Sequence, residues 1–115
     1  MDFSAKREEY VERLKRAVER LREELSSMPE VERVVLFGSY ARGRRDLLTD
    51  LDVLVVMDTE LAPLERLRWL YRRLSLPVDL DLICLTPREF EERKATPFFK
   101  KVLREGEVIY EKKPS

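Results

Sequence analysis

The sequence predicts a small α/β (α+β) domain, a mixed β-sheet packed against helices. Three observations lead there. The chain has 115 residues, the size of one domain with one core. Segments with the three-and-four apolar spacing of a helix are interspersed with short β-rich runs of two-residue period. A hydrophobic fraction of 43% with only three Gly and six Pro suits a packed interior rather than disorder or fibre.

The elements follow in order. Between Ser4 and Ser26, Tyr10, Val11, Leu14, Ala17, Val18, Leu21 and Leu25 line one face of a helix whose other face is charged. Met28-Pro29 closes it, and Val34-Val35-Leu36-Phe37 reads as a buried strand stopped by Gly38. Ser39 to Thr49 suits a helical turn and a loop. Over Asp50 to Asp58 the strand period sets Asp50, Asp52, Leu54 and Val56 on one face and Leu51, Val53, Val55 and Met57 on the other. Leu61 to Leu74 reads as a second amphipathic helix with Leu64, Leu67, Tyr71 and Leu74 inward. Val78 to Leu85 is a third strand, with Asp79, Asp81, Ile83 and Leu85 on one face. Thr86-Pro87-Arg88-Glu89 is an N-cap, a first-turn Pro and a capping-box Glu. Thr96-Pro97 repeats the start signal, Gly106 suits a C-terminal cap, and Val108-Ile109-Tyr110 could add an edge strand. The strand order cannot be read from local pattern. The expected organisation is a single domain over 1–115, with an N-terminal helix at about 4–26 and a catalytic core at about 33–110.

Composition excludes several classes of function. Lys plus Arg and Asp plus Glu both number 23, so no global field draws the chain to nucleic acid or an anionic membrane, and non-specific nucleic-acid binding is not expected. One Cys and no His leave no internal disulfide, no zinc finger, and no Ser-His-Asp or Cys-His site. The longest apolar run, Val53 to Met57, is far below the ~20 residues of a membrane helix, and the N-terminus is charged rather than signal-like. A cytoplasmic location is expected.

The chemistry concentrates in two places. Gly38-Ser39 leaves a buried strand for a helical turn, an arrangement that aims backbone N–H groups and a hydroxyl at one point, where phosphate oxygens bind. Asp50-Leu51-Asp52 then re-enters the sheet with two carboxylates on one face, ~6.8 Å apart along the strand. Acids flanked by Leu and Val in a sheet repel and resist desolvation, costs that a hard cation with oxygen ligands offsets. A third acid on a neighbouring strand, Asp81 or alternatively Asp79, would complete a site suited to two metal ions and in-line displacement at phosphorus.

These residues carry a resemblance. Leu36-Phe37-Gly38-Ser39-Tyr40-Ala41-Arg42-Gly43, ten residues between Ser39 and Asp50, then Asp50-Leu51-Asp52-Val53-Leu54-Val55 resemble the Gly-Ser, ten residues, Asp-x-Asp signature of the DNA polymerase β-like nucleotidyltransferases. Leu80 to Phe90 is similar to that superfamily's third-acid strand, and Lys101 to Tyr110 to its tail. The similarity is to its minimal members, small prokaryotic proteins often paired with a HEPN-domain partner as toxin and antitoxin. The resemblance implies a polymerase β-like fold, with ATP or another nucleoside triphosphate held through Gly38, Ser39 and Arg42. It also implies two Mg²⁺ ions bound by Asp50, Asp52 and Asp81. A nucleotidyl group, AMP from ATP, would pass to a hydroxyl acceptor on a HEPN-type toxin with release of pyrophosphate, and Asp81 would help to deprotonate the acceptor. Full-size members add a substrate domain that this chain lacks, so acceptor recognition would come from a partner or from a second copy in a homo-oligomer. The alternative implied is an antitoxin-like module that neutralises its partner by occlusion, with the nucleotide site vestigial.

Other features read as structural. Arg44 and Arg45 suit a solvated loop partnered by Asp46. Trp69, Tyr71, Phe98 and Phe99 are assigned to packing, and Cys84 is a small buried residue on its strand's apolar face.

Overall fold

Helices cover both faces of a four-stranded sheet in a computed structural model that describes residues 3–114. In chain order the elements are α1 (Phe3–Ser26), β1 (Val31–Phe37), α2 (Gly38–Ala41), β2 (Leu51–Met57), α3 (Pro63–Arg73), β3 (Leu80–Leu85), α4 (Pro87–Arg93), α5 (Pro97–Glu105) and β4 (Glu107–Glu111). The strand order is β3-β2-β1-β4. β1 runs antiparallel to β2 and β4, while β2 and β3 are parallel. A parallel pair needs a crossover, which α3 supplies. No described helix is long and apolar enough to cross a membrane.

The two-residue period divides the core between the faces. Leu14, Ala17, Leu21 and Leu25 of α1 and Leu70 of α3 pack on Val34, Leu36, Leu51, Val53, Val55, Leu82 and Cys84. On the opposite face, Phe90 of α4 and Val102 of α5 pack on Val35, Leu54, Val56 and Leu85, with Phe37, Ile83 and Phe99 partly buried beside them. Cys84 is buried, and its thiol is pushed up to about 12, chiefly by that burial.

All four strands differ from their expected bounds: β2 is shorter by one residue at each end, which leaves Asp50 outside it, and β4 is longer by one at each end. β1 begins at Val31 rather than Val34, with a register shift between Val31 and Arg33. β3 begins at Leu80, which leaves Asp79 outside the strand. The helix starts hold: Thr86 and Glu89 form the capping box of α4, and Pro97 opens α5.

The inward face of α3 is the expected one only in part: Leu74 is buried and Leu67 packs against the core. Leu64 is 60% and Tyr71 44% exposed, whereas Leu70 and Arg66 are buried. Arg66 goes inside because its Nε and Nη1 both find acceptors there. Nε donates to Leu61 O at 3.1 Å, and Nη1 donates to Cys84 O at 3.3 Å and to the Glu89 carboxylate. Glu89 also accepts from Thr86 N at 2.9 Å, so one carboxylate caps α4 and anchors α3. Tyr71 serves the open edge of the sheet: its hydroxyl donates to Leu80 O and accepts from Leu82 N, both at 3.0 Å. It thereby occupies edge groups that would otherwise invite another strand.

Arg66→Ala should therefore destabilise the fold by about 3 kcal/mol, because it takes from Glu89 its charged partner and from two carbonyls the Arg66 donor. Arg66→Met, which keeps the stem, should cost less. Arg66 is the main cause holding the Glu89 carboxyl below its ordinary value of 4.5, against an opposing effect of burial. A depressed folded pKa gives stability that is present above pH 4.5 and lost as pH falls through the folded value. Thermal melts from pH 7 to pH 3 should show this acid sensitivity weakened in Arg66→Ala. A variant as stable as the parent would remove the pair from the account.

Candidate functional site

One row of residues crosses three strands. The Cα of Phe37 at the end of β1 faces that of Asp52 in β2, and Asp52 faces Asp81 in β3. Neighbouring strands are ~4.8 Å apart, and residues directly opposite share a face. This face is the one that carries Leu54 and Ile83, covered further along by α4 and α5. The register thus separates the two third-acid candidates. Asp81 is the residue beside Asp52, and Asp79 lies before β3, its carbonyl accepting from Leu51 N at 3.5 Å.

The chain turns away from the sheet at Gly38, whose φ of +74° an L side chain rarely adopts. Gly38, Ser39 and Tyr40 open α2, and Gly38 O and Tyr40 O accept from Arg42 N and Gly43 N at 3.1 and 3.0 Å. The leading N–H groups of such a turn have no intrahelical acceptor. Asp52 reaches over this point: a Cβ at Gly38 would overlap Asp52 Oδ2 and lie 2.9 Å from its Cγ. The missing side chain makes room for the carboxylate against the turn.

Electrostatics mark the same place. Burial raises the Asp52 carboxyl above its usual range, the charges of Asp81 and Asp50 raise it further, and Arg42 opposes them. Asp50 is exposed and just precedes β2. It acts in two directions, since it also raises Tyr10, whose shift comes first from burial and then from Asp50 and Asp79. The Tyr10 hydroxyl donates to Thr49 O at 2.7 Å and ties α1 to the entry of β2.

Arg42 extends from the end of α2 to Glu105 of α5 at 3.5 Å. The other two arginines serve the loop. Arg44 pairs with Asp46 at 2.8 Å, as expected. Arg45 stacks on the Tyr40 ring, 3.5 Å from its centroid, and donates to Tyr40 O at 2.7 Å. Gly38, Ser39, Arg42, Asp50, Asp52 and Asp81 therefore gather around the β1–α2 turn and the adjoining strand ends. Sequence reading missed Glu105 as the partner of Arg42, for which a separation of 63 residues leaves no local signal. It also missed the exposure of Phe98.

The residues fit a hard cation by chemistry and by charge. Carboxylate oxygens are its preferred donors, and mutual repulsion at Asp52 is what a divalent ion relieves. The fit is incomplete in one respect: among the described residues no three His, Cys, Asp or Glu side chains lie close enough to hold one ion together. The oxygens of a bound triphosphate supply ligands in such sites. A separate cleft of about 510 Å³, lined by Arg33, Val56 and Phe90 among others, lies toward the opposite end of the sheet.

A family model described as a nucleotidyltransferase domain matches residues 18–114. No curated protein matches the sequence. Among solved structures, a candidate nucleotidyltransferase from Sulfolobus solfataricus is 24% identical, with a TM-score of 0.61 over 97% of this chain and 90% of that one. A chain in the complex of a tri-AMPylated Shewanella oneidensis HEPN toxin with an MNT antitoxin is 21% identical, with a TM-score of 0.57 over 85% of this chain and 72% of that one. A toxin–antitoxin structure with AMP-PNP gives 21% identity and a TM-score of 0.57 over 84% and 74% of the two chains. At these identities the likeness to the solved structures is one of fold.

Proposed function

The chain belongs to the nucleotidyltransferase domain family, and we propose that it transfers AMP from ATP to a hydroxyl on a HEPN-type protein partner in the cytoplasm, silencing that partner as an antitoxin. The observation that carries the reading is Asp52, set against the Gly38 turn and beside Asp81. The reading treats the chain as one working domain, α1 bracing the core at about 33–110. The likeness in fold to chains from HEPN toxin–MNT antitoxin complexes supports the choice of partner.

Each residue then has a task. The N–H groups at Gly38 and Ser39 bind phosphate oxygens, and the absence of a Gly38 side chain lets them approach closely. Arg42 neutralises the leaving end of the triphosphate by exchanging Glu105 for phosphate, an exchange eased by the small worth of an exposed ion pair. Asp50, Asp52 and Asp81 would hold magnesium, which when bound offsets the charge on the triphosphate and makes its phosphorus more electrophilic. Asp81, exposed at the edge strand, accepts the proton of the attacking hydroxyl. The acceptor oxygen forms its bond to the α-phosphorus, the bond to the bridging oxygen breaks, and pyrophosphate leaves toward Gly38 and Arg42.

The test is transfer of label from ATP to the co-expressed partner. Label at the α-phosphorus should appear on the partner, and label at the γ-phosphorus should not. Among the described residues no three acidic side chains lie close enough to hold one ion, which favours a second reading, a binding module that neutralises by occlusion. That reading predicts a stable complex, a silenced partner and no label from any of the four nucleotides.

A further inference from the structure

We propose that Phe98 is the platform on which the base of the nucleotide stacks, and that it gives the site a preference for purine nucleoside triphosphates. The inference rests on the functional reading above and deepens it.

The row Phe37–Asp52–Asp81 has direction. At the β3 end stand Asp81 and open solvent, where an acceptor can enter. At the β1 end stands an aromatic cluster, with the Arg42–Glu105 pair at the far end of α5. The Phe98 ring lies edge-to-face with Phe37, 6.2 Å between centroids at 89°, and with Phe99, 5.0 Å at 87°. Phe37 and Phe99 are partly buried in the core beneath α4 and α5, but Phe98 is 52% exposed. Two perpendicular rings thus brace a third whose remaining surface is open to water. A large apolar ring held rigid and wet is poorly explained by packing, and it is suited to receiving another flat ring.

Position agrees with this use. Phe37 is one strand spacing, ~4.8 Å, from Asp52 and directly precedes Gly38, and the Phe98 ring lies 6.2 Å from the Phe37 ring. The exposed ring is thus one side chain removed from both the acid row and the phosphate-binding turn. α5 closes this side at both ends, with Phe98 in its first turn and Glu105 on Arg42 in its last. A triphosphate at Gly38, its α-phosphorus at Asp52 and its base over Phe98 leave the Asp81 end free for the acceptor. Stacking accepts any base because each has a π-face, and a purine, with two fused rings, covers more of an exposed phenyl than a pyrimidine does.

Equilibrium binding of the four nucleoside triphosphates and of inorganic tripolyphosphate, each with Mg²⁺, to the full chain tests this. Phe98→Ala should weaken ATP and GTP roughly tenfold, narrow the gap between purines and pyrimidines, and leave tripolyphosphate unchanged. Phe98→Tyr should restore the purine affinity. Equal purine affinity in parent and Phe98→Ala overturns the inference and leaves the functional reading standing, as does an equal loss for tripolyphosphate, which would mark a structural effect. Loss of partner binding with nucleotide affinity intact makes Phe98 a protein contact and also overturns it. A parent protein that binds none of these probes overturns both.

Discussion

Asp52→Asn is expected to reduce nucleotidyl transfer by about a thousandfold or more while leaving the protein as stable as the parent, or more stable. The loss follows from position: Asp52 lies between Gly38 and Asp81, and its charge is central to holding a cation whose neutralisation of the triphosphate is worth several kcal/mol. The gain in stability follows from sign. Burial, then Asp81 and Asp50, raise the folded pKa of Asp52. A raised folded value contributes stability that is complete below the unfolded value near 3.8 and lost as pH rises through the folded value. At neutral pH the ionised group is therefore a liability of the folded state, and Asn removes the charge at nearly constant shape. Thermal midpoints should show the variant at or above the parent at pH 7, with the difference shrinking below pH 4. MgATP should raise the midpoint of the parent and not that of the variant. Full transfer by Asp52→Asn would end the catalytic assignment, and a large drop in its midpoint would make Asp52 a structural residue.

The parts of this site that could be read from the sequence are those that depend on near neighbours. A Gly after a β-run announces a turn, and the two-residue period assigns Asp52 to the face of Leu54 and Val56, where the structure places it. What could not be read depends on how distant segments meet. Asp79 and Asp81 share a parity, so only the register of β3 against β2 sets Asp81 beside Asp52. Arg66 fell outside the inward set read for α3 because its compensation, the Glu89 carboxylate and the Cys84 carbonyl, lies 23 and 18 residues away. Tyr71 looked inward for the same reason, since its use at the edge of β3 exists only once the sheet is assembled. Phe98, assigned by type to packing, faces water because Phe99 and Val102 already take the inward side of α5. For Arg66 and Tyr71 a hydrophobicity pattern fixed the element, and the polar group departed from the pattern where a partner outside the helix satisfied it.

Gly38→Ala should lose both transfer and stability, for two separable reasons. The first is the backbone: at a φ of +74° an added Cβ costs about 1–2 kcal/mol. The second is the site, since that Cβ would overlap Asp52 Oδ2 and stand 2.9 Å from its Cγ and 3.1 Å from its Cβ. The carboxylate must then swing off the turn, away from the place where the α-phosphorus is to lie, and misplacement of about 1 Å can cost a hundredfold in rate. Gly43 supplies the control. Its φ is +98°, and a Cβ there would meet nothing within 4 Å, so Gly43→Ala carries the backbone strain without touching Asp52. Comparable drops in thermal midpoint for the two variants, with transfer lost only in Gly38→Ala, would isolate the displaced carboxylate as the cause. Equal transfer in both would mean that the Gly38 turn bends the chain but has no part in the chemistry.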